Sequence, residues 1–583
     1  MMYNLKHEIA LLVAPALEKL AIPSEVAAIE NAILYAPNSE LGHFSLPCFA
    51  LAKLLRKNPN QVATELANEL NEGNLLSEIK AVGPYVNFFI RNTTFGTQVL
   101  DAILSGAHFT AGRAGKPDQD APRVMVEFSQ PNTHKQLHIG HLRNVCLGDA
   151  LVKLLWYTQL DIISATFPGD VGAHVAKCLW YIRYVNQEPA PEANKGEWLG
   201  LMYTNASRYL DTLQGSSEEE RVKSQLSEVL TQIEGKAGEF YELWLETRQW
   251  SIQQMQTVYD WLAVKFDKWY WESEVDNSSV ALIEAYYQKG VFVQSEGVIG
   301  ADLTAFDLGF CVLIKSDGHG LYATKDIALA IKKFEDFQLT KSIYVVDLRQ
   351  THHFKQVFKC LDMMGLPLAN DCYHLPYNYV ELPSGPMSSR KGNIIPATQL
   401  IQQMVATVAA DLTVRHGAEW TAADIHETAE TIARGAIKYG MLKVGSMQKI
   451  VFRMEEWLDL HGNSGPYLQY AVVRIGSLNK KHVLTATAIE WEMLTGRAEL
   501  DLMLHLYKYH YVIASVGQDY DVSLLCKYLF ELAQLFNSFY NNFPIIHAPT
   551  PELRDARLSL ATAVSLVLTH GLALLGIDVP ARM

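Results

Sequence analysis

The sequence predicts a three-part chain: an α/β core on a parallel sheet with a helical insertion, a small α+β domain before it, and an all-α region after it. Three observations carry that reading. Strand-like and helix-like runs alternate from Arg123 to about Thr398, which implies parallel strands joined by helical crossovers. Residues up to about Ala111 mix the two periods. After Ala397 the apolar spacing is nearly all helical as far as Met583. A chain of 583 residues has room for three or four cores, and the boundaries expected are 1–111, 112–398 with an insertion at about 176–275, and 399–583.

In the first part, LPCFALAKLLRKNPNQVATELANEL has the spacing of amphipathic helices, broken at Asn58-Pro59. GPYVNFFI (83–90) alternates as a strand does, and the polar TAGRAGKPDQDAP (110–122) reads as a linker. The core strands expected in the parallel sheet are RVMVEF (123–128), IISATF before Pro168, FCVLIKS before Asp317-Gly318, and KSIYVVD (341–347). Residues 176–275 are mostly helical and rich in Trp, Glu and Gln, with NQEPAPEANKGEW as a loop. No internal repeat or low-complexity segment is found.

Composition limits the function. The balance of 49 basic against 63 acidic residues gives a net charge of −14, which excludes a chain coated in positive charge. A nucleic-acid partner stays possible, because local basic patches are what neutralise phosphates. Lys53, Arg56 and Lys57 form one such cluster, equally readable as a solvated helix face. Seven cysteines without a C-x-x-C pair suggest reduced, buried thiols of a cytoplasmic protein rather than a disulfide framework or zinc ribbon. MMYNLKHEIA has no signal-peptide core. The stretch 558–577 is about long enough to span a bilayer, but Thr562, Ser565, Thr569, His570 and Gly571 interrupt it, so a bundle helix and no membrane partner are expected.

The chemistry concentrates in PNTHKQLHIGH (131–141), between the strand RVMVEF and the helical run LRNVCLGDALVKLLWY. A helix N-terminus there attracts anions through its amides and dipole. Gly140 lets a flat ligand such as adenine lie against the backbone. His138 and His141 can donate to a phosphate as charge builds on it. His134, His138 and His141 also have spacings that could hold zinc, but no glutamate stands between paired histidines as a metalloprotease would require. Pro131 and Asn132 place the helix start near His138, which leaves His134 in the loop.

PNTHKQLHIGHLRN resembles the HIGH signature of class I aminoacyl-tRNA synthetases in its arginyl form, and the resemblance runs along essentially the whole chain. It implies a Rossmann-type catalytic domain split by a connective insertion, and an N-terminal additional domain that contacts the outer corner of tRNA. NSGPYLQYAVVRI (463–475), LFNSFYNN (535–542) and the terminal LLGIDVPARM look like the family's helical anticodon-binding domain. By the same resemblance, ATP binding falls to His138, Gly140, His141, Met387, Ser388 and Ser389. Arginine binding falls to Glu127, Ser129, Asn132, Tyr322, Asp326 and Gln350. Tyr540 and Met583 are expected to meet tRNA.

The second class I signature reads GPMSSRKGN (385–393), with Pro386 and Ser389 where KMSKS has its two lysines. Lys135, the family's usual substitute, is expected to act catalytically, with Arg390 and Lys391 able to supply further charge. Asp170 and His174, in PGDVGAHV, match a loop near the tRNA acceptor end; their roles stay open. Mg²⁺ carried by ATP is expected, with no protein-caged metal, and a monomer is the family's habit. Rival readings are another class I synthetase, a HIGH-containing nucleotidyltransferase of small-molecule metabolism, and a non-catalytic tRNA-binding relative.

Overall fold

The computed structural model describes residues 4–22, 24–110, 121–385, 394–482 and 488–583, so most of the expected linker and the segment 386–393 of GPMSSRKGN lie outside the described residues. The chain divides into two compact units, one of residues 1–116, 468–514 and 527–572, the other of 117–467, 515–526 and 573–583.

The second unit is organised by a five-stranded parallel sheet. In spatial order its strands are Cys372–Tyr377, Lys341–Asp347, Arg123–Glu127, Asp161–Thr166 and Lys268–Trp269. Val124, Met125 and Val126 are buried, as in a strand covered on both faces. The chain adds its second and third strands on one side of Arg123–Glu127 and then returns to add Lys341–Asp347 on the other. That reversal opens a crevice beyond the carboxyl ends of the two neighbouring strands, where open α/β sheets bind ligands. The crossover helix Ile139–Tyr157 leads away from this point with Leu142, Val145, Leu151 and Leu154 buried.

Helices Ala173–Tyr184, Lys195–Thr212, Glu219–Glu234 and Glu239–Trp261 fill the stretch between the strands Asp161–Thr166 and Lys268–Trp269. Val175, Leu179, Trp180, Val229, Ile233, Phe240 and Trp244 share a core there. The chain then returns to the sheet as its edge strand Lys268–Trp269.

One core strand departs from expectation. Phe310–Ile314 belongs to a separate antiparallel sheet with Val293–Ser295 and Val298–Asp302. The reason is connection length. Glu296 and Gly297, at φ 50° and 81°, make a two-residue hairpin turn, and the short return from Asp302 to Phe310 leaves no room for a parallel crossover. A smaller difference is that Leu46 and Pro47 end the strand Phe44–Pro47; the helices of that segment are Phe49–Leu55 and Pro59–Glu69, with Asn58 capping the latter.

The first unit joins the N-terminal α+β region to C-terminal helices. Its four-stranded antiparallel sheet runs Leu34–Tyr35, Phe44–Pro47, Tyr85–Ile90, Leu76–Val82. The Leu5 amide donates to the Tyr507 hydroxyl at 3.0 Å, and Tyr35 and Phe44 pack on the same tyrosine. Among the described residues, Pro551–Leu574 is the helix long and apolar enough to cross a membrane. Leu558, Leu560, Val564, Val567 and Leu568 are all buried within the protein. The seven cysteines are free thiols, each buried.

One buried ion pair ties the parallel sheet to its covering helix. Glu127, at the end of its strand, pairs with Lys333 of the helix Tyr322–Phe337, and the Lys333 ammonium also lies 4.1 Å from the Tyr344 ring centroid. Breaking such a pair from one side leaves an uncompensated buried charge, at a cost of about 3–5 kcal/mol. Lys333→Met should therefore lower the calorimetric unfolding temperature markedly. Adding Glu127→Gln should restore most of the loss, and equal stability of the single and double variants would show that the pair is not the cause.

Candidate active site

His138 is the N-cap of the helix Ile139–Tyr157, in extended backbone. Its Nδ1 accepts from the Gly140 amide at 3.1 Å, while the His138 amide donates to His141 Nδ1 at 3.1 Å. This is a reciprocal capping box made of two histidines. Because a backbone amide can only donate, both Nδ1 atoms are acceptors, and each neutral ring carries its proton on Nε2. Burial, with the Arg349 charge beside it, pushes His138 down to about 4, and burial, with His138 and Lys135 nearby, pushes His141 well below the ordinary histidine value. At neutral pH the pair thus presents two Nε2–H donors at a helix N-terminus.

Both line a cavity of about 880 Å³ at the crevice where the sheet reverses. Ser129, Gln130 and Asn132 enter it after the first core strand, Val346 and Asp347 at the end of the fourth, and Arg349 and Gln350 just beyond that end. Lys135, Gly140, Asn144 and Tyr203 complete this side, with the Lys135 ammonium 4.9 Å from the Tyr203 ring centroid. A Cβ added at Gly140 would come within 2.9 Å of the His138 ring, so the glycine keeps the cap intact.

Asn144 is a member of this site that motif reading missed. From the second turn of the capped helix its Oδ1 accepts from the Ser129 amide at 2.5 Å, and its Nδ2 donates to the Val345 carbonyl at 2.8 Å and the Tyr377 hydroxyl at 3.2 Å. One carboxamide thus holds the ends of three neighbouring strands.

The residues expected to hold arginine do not all meet. Ser129, Asn132 and Gln350 line the cavity; Glu127 does not, since its carboxylate is already paired with Lys333 and hydrogen-bonded to Gln130 Nε2 at 3.2 Å. Tyr322 opens its helix as an exposed side chain, and Asp326, one turn later, faces His353 at 2.6 Å. A carboxylate that sequence reasoning missed, Glu272, stands near. A Cβ on Gly169 would lie 2.5 Å from Asn132 Oδ1 and 3.0 Å from Glu272 Oε2, so those two side chains converge over a position that must lack one. Lys325 Nζ holds the other Glu272 oxygen at 2.7 Å. Partial burial and the Glu272 charge keep the Tyr322 phenol above its ordinary value.

The remaining expected residues have definite settings. Asp170 is fully buried and accepts from Arg248 Nε at 2.7 Å and from the Ser273 amide and hydroxyl at 2.9 and 2.8 Å, which makes it a clamp on the start of the helix Glu272–Gln288. His174 hydrogen-bonds the Gly169 carbonyl at 3.3 Å, and His134 is buried between Thr133 and Thr247 hydroxyls. Met387, Ser388, Ser389, Arg390 and Lys391 lie outside the described residues. In the first unit, Tyr540 has the Arg474 guanidinium 3.9 Å from its ring centroid. Met583 ends the tail of the second unit, where its neighbour Arg582 pairs with Asp424 at 2.7 Å.

Comparison with known proteins agrees with this geometry. Residues 104–454 match the family model described as tRNA synthetases class I (R), catalytic domain; residues 468–583 match the DALR anticodon binding domain, and 7–90 the arginyl tRNA synthetase N terminal domain. Arginine–tRNA ligase of Bdellovibrio bacteriovorus is 48% identical over 556 residues, covering 95% of this chain and 94% of that one. The Treponema denticola ligase is 32% identical, covering 92% of each chain. The solved Thermus thermophilus arginyl-tRNA synthetase superposes with a TM-score of 0.79 at 26% identity, over 99% of this chain and 100% of the other. The cavity at the strand reversal, the histidine-capped helix beside it and these matches across nearly the full length place the chain in the class I arginyl-tRNA synthetases, the ATP-dependent ligases that charge tRNA with arginine.

Proposed function

We propose the following division of labour for that ligation. The observation that carries it is the pair of Nε2–H donors held by the histidine capping box, in the cavity that Lys135 also lines. ATP lies there with adenine against Gly140 and its phosphates toward the helix N-terminus. The arginine carboxylate attacks the α-phosphorus in line. A carboxylate oxygen–phosphorus bond forms, and the bond to the bridging oxygen breaks, with its electron pair leaving on pyrophosphate. His138, His141 and Lys135 stabilise the charge spread over the phosphate oxygens, so the protein works by positioning and electrostatics rather than by a covalent intermediate. Mg²⁺ travels with ATP and is held mainly by its phosphates. The 3′-terminal ribose hydroxyl of tRNA then attacks the adenylate carbonyl and releases AMP.

For the arginine side chain the support favours Asn132, Glu272, Tyr322 and Asp326, with Ser129 and Gln350 closing the pocket toward ATP. Two carboxylates and a phenol oxygen suit the five donors of a guanidinium. By the family resemblance, Met387, Ser388 and Ser389 contribute to ATP binding, and Arg390 and Lys391 add charge for the triphosphate. Residues 1–111 meet the outer corner of tRNA through the exposed Lys53, Arg56 and Lys57, residues 112–398 carry catalysis, and residues 399–583 read the anticodon through side chains such as Tyr540 and Met583. The enzyme works in the cytoplasm as a monomer, without a membrane partner. Arginine-dependent exchange of pyrophosphate into ATP, measured with and without tRNA, tests the whole scheme; no exchange under either condition would overturn it.

Three variants test its parts. Asp326→Asn should raise the arginine KM by roughly tenfold to a hundredfold, the size of a lost charged hydrogen bond, while the ATP KM changes little. An unchanged arginine KM would remove Asp326 from the pocket. Lys135→Ala should lower kcat with a modest effect on the ATP KM, because its contact strengthens as charge develops, and Ser389→Lys should recover part of the rate. Near-normal turnover in Lys135→Ala, with loss in Arg390→Ala or Lys391→Ala, would give the task to the loop instead. Tyr540→Ala should weaken tRNA charging by a stacking-sized ~1–3 kcal/mol and leave ATP–pyrophosphate exchange unchanged; charging at the wild-type level would make Tyr540 a packing residue.

A further inference from the structure

His353 stands on the helix Thr351–Met363 and reaches across to the helix Tyr322–Phe337, where its Nε2 lies 2.6 Å from Asp326 Oδ2. The two side chains keep 23% and 22% of their surface, so the pair is sheltered yet open to an incoming ligand. The other titratable groups facing it come from every packed element: Cys311 on Phe310–Ile314, Tyr344 on Lys341–Asp347, His374 on Cys372–Tyr377, and Cys360 on its own helix, hydrogen-bonded to Cys311. His374 Nε2 meets the Val346 carbonyl at 3.0 Å, and burial holds this ring below its ordinary value, hence neutral. Asp326 is thus the carboxylate that answers His353.

We propose that His353 is a positioning residue that orients the Asp326 carboxylate for the substrate guanidinium and couples arginine capture to loss of a proton from its own imidazole. The inference rests on the reading of Asp326 as the partner of the guanidinium. A guanidinium fork is matched by a carboxylate whose plane is fixed. The His353 contact engages Oδ2 and restrains the turn of the Asp326 carboxylate, so in this proposal the guanidinium is met by Oδ1. The same contact creates a competition. In the free enzyme, burial draws His353 down, but the hydrogen bond to Asp326 and its charge outweigh that and raise it above the ordinary histidine value. When the guanidinium arrives, its positive charge cancels the field of Asp326, so the imidazolium loses its stabilisation and gives up its Nδ1 proton to solvent. The neutral ring still donates from Nε2.

The sign follows. Arginine binding releases a proton at any pH between the bound and free values of His353, so the arginine kcat/KM falls as pH drops through the free value. His138, His141, His174 and His374 are all held below the ordinary value, which leaves His353 as the source of an acid limb near neutrality among the described histidines of the site.

Steady-state constants for arginine and ATP across about pH 6 to 8.5, with calorimetry of arginine binding in two buffers of different ionisation enthalpy, test this. His353→Ala should raise the arginine KM by about tenfold at high pH, the size of one charged hydrogen bond, and leave the ATP KM in place. His353→Gln puts an amide donor at the Nε2 position; it should keep an arginine KM close to wild type at high pH yet lose both the acid limb and the proton release. The proposal is overturned if His353→Ala keeps the wild-type arginine KM, or if His353→Gln keeps the acid limb. Asp326→Asn separates the two levels. An unchanged arginine KM in that variant defeats the pocket reading and this proposal together, whereas a raised KM with an unaltered His353→Ala defeats this proposal alone.

Discussion

One carboxamide fixes the geometry on which the catalytic cavity depends. Asn144 sits on the helix that carries both signature histidines, and three of its hydrogen bonds reach the ends of three adjacent parallel strands. A helix can slide along or rotate over a sheet within the tolerance of apolar packing, because dispersion contacts are individually weak and non-directional. Directional bonds to Ser129, Val345 and Tyr377 remove that freedom. They set where the helix begins relative to the loop after Lys341–Asp347, and so where the imidazole donors stand relative to Arg349 and Gln350 across the crevice. Arg143, its neighbour in sequence, does related work on the other side. It is buried and donates to the Gln448, Gly445 and Ser446 carbonyls, fastening the same helix to the segment that follows Ala422–Leu442.

Charge in this interior is placed with similar economy. The parallel sheet buries acids at its carboxyl edge and beneath its helices, and each is answered by a base from elsewhere in the chain. Glu127 meets Lys333, Glu272 meets Lys325, and Asp170 meets Arg248. Such pairs cost desolvation, and their net stabilisation is small. What they supply here is direction, since a carboxylate held by a lysine or arginine cannot turn toward the wrong ligand. The acids closest to the cavity are therefore oriented before substrate arrives, which lowers the ordering that binding must accomplish.

Much of this was legible in the sequence, and the limits are physical. A strand, a short loop and a histidine-opened helix form a local pattern, so the position of His138 as a cap and of His134 in the loop followed from neighbouring residues alone. Alternation of strands and helices likewise sufficed for the parallel core. The strand Phe310–Ile314 went to a different sheet because its apolar run says only that it is buried; its partner is decided by a two-residue turn upstream. Glu127 reads locally as an acid where a strand meets the active-site loop, and nothing nearby in sequence reveals that Lys333, 206 residues later, pairs with it. Glu272 was missed for the complementary reason. It follows an edge strand of two residues, too short to announce itself, and reaches Asn132 only through folding.

The capping box has a consequence for how these two positions can vary. Each imidazole has two different nitrogens for two tasks: Nδ1 closes the helix, and Nε2 is left carrying the proton that the proposed phosphate contact would use. Smaller amide side chains can imitate one nitrogen or the other, since asparagine reaches the place of Nδ1 and glutamine that of Nε2. A drift to asparagine at either site would therefore leave a well-folded helix that no longer offers its proton. A drift to glutamine would offer the proton from a fraying end. Histidine alone among the natural side chains spans both distances, so folding and chemistry here constrain the same codon independently, and relaxing one demand does not free it from the other.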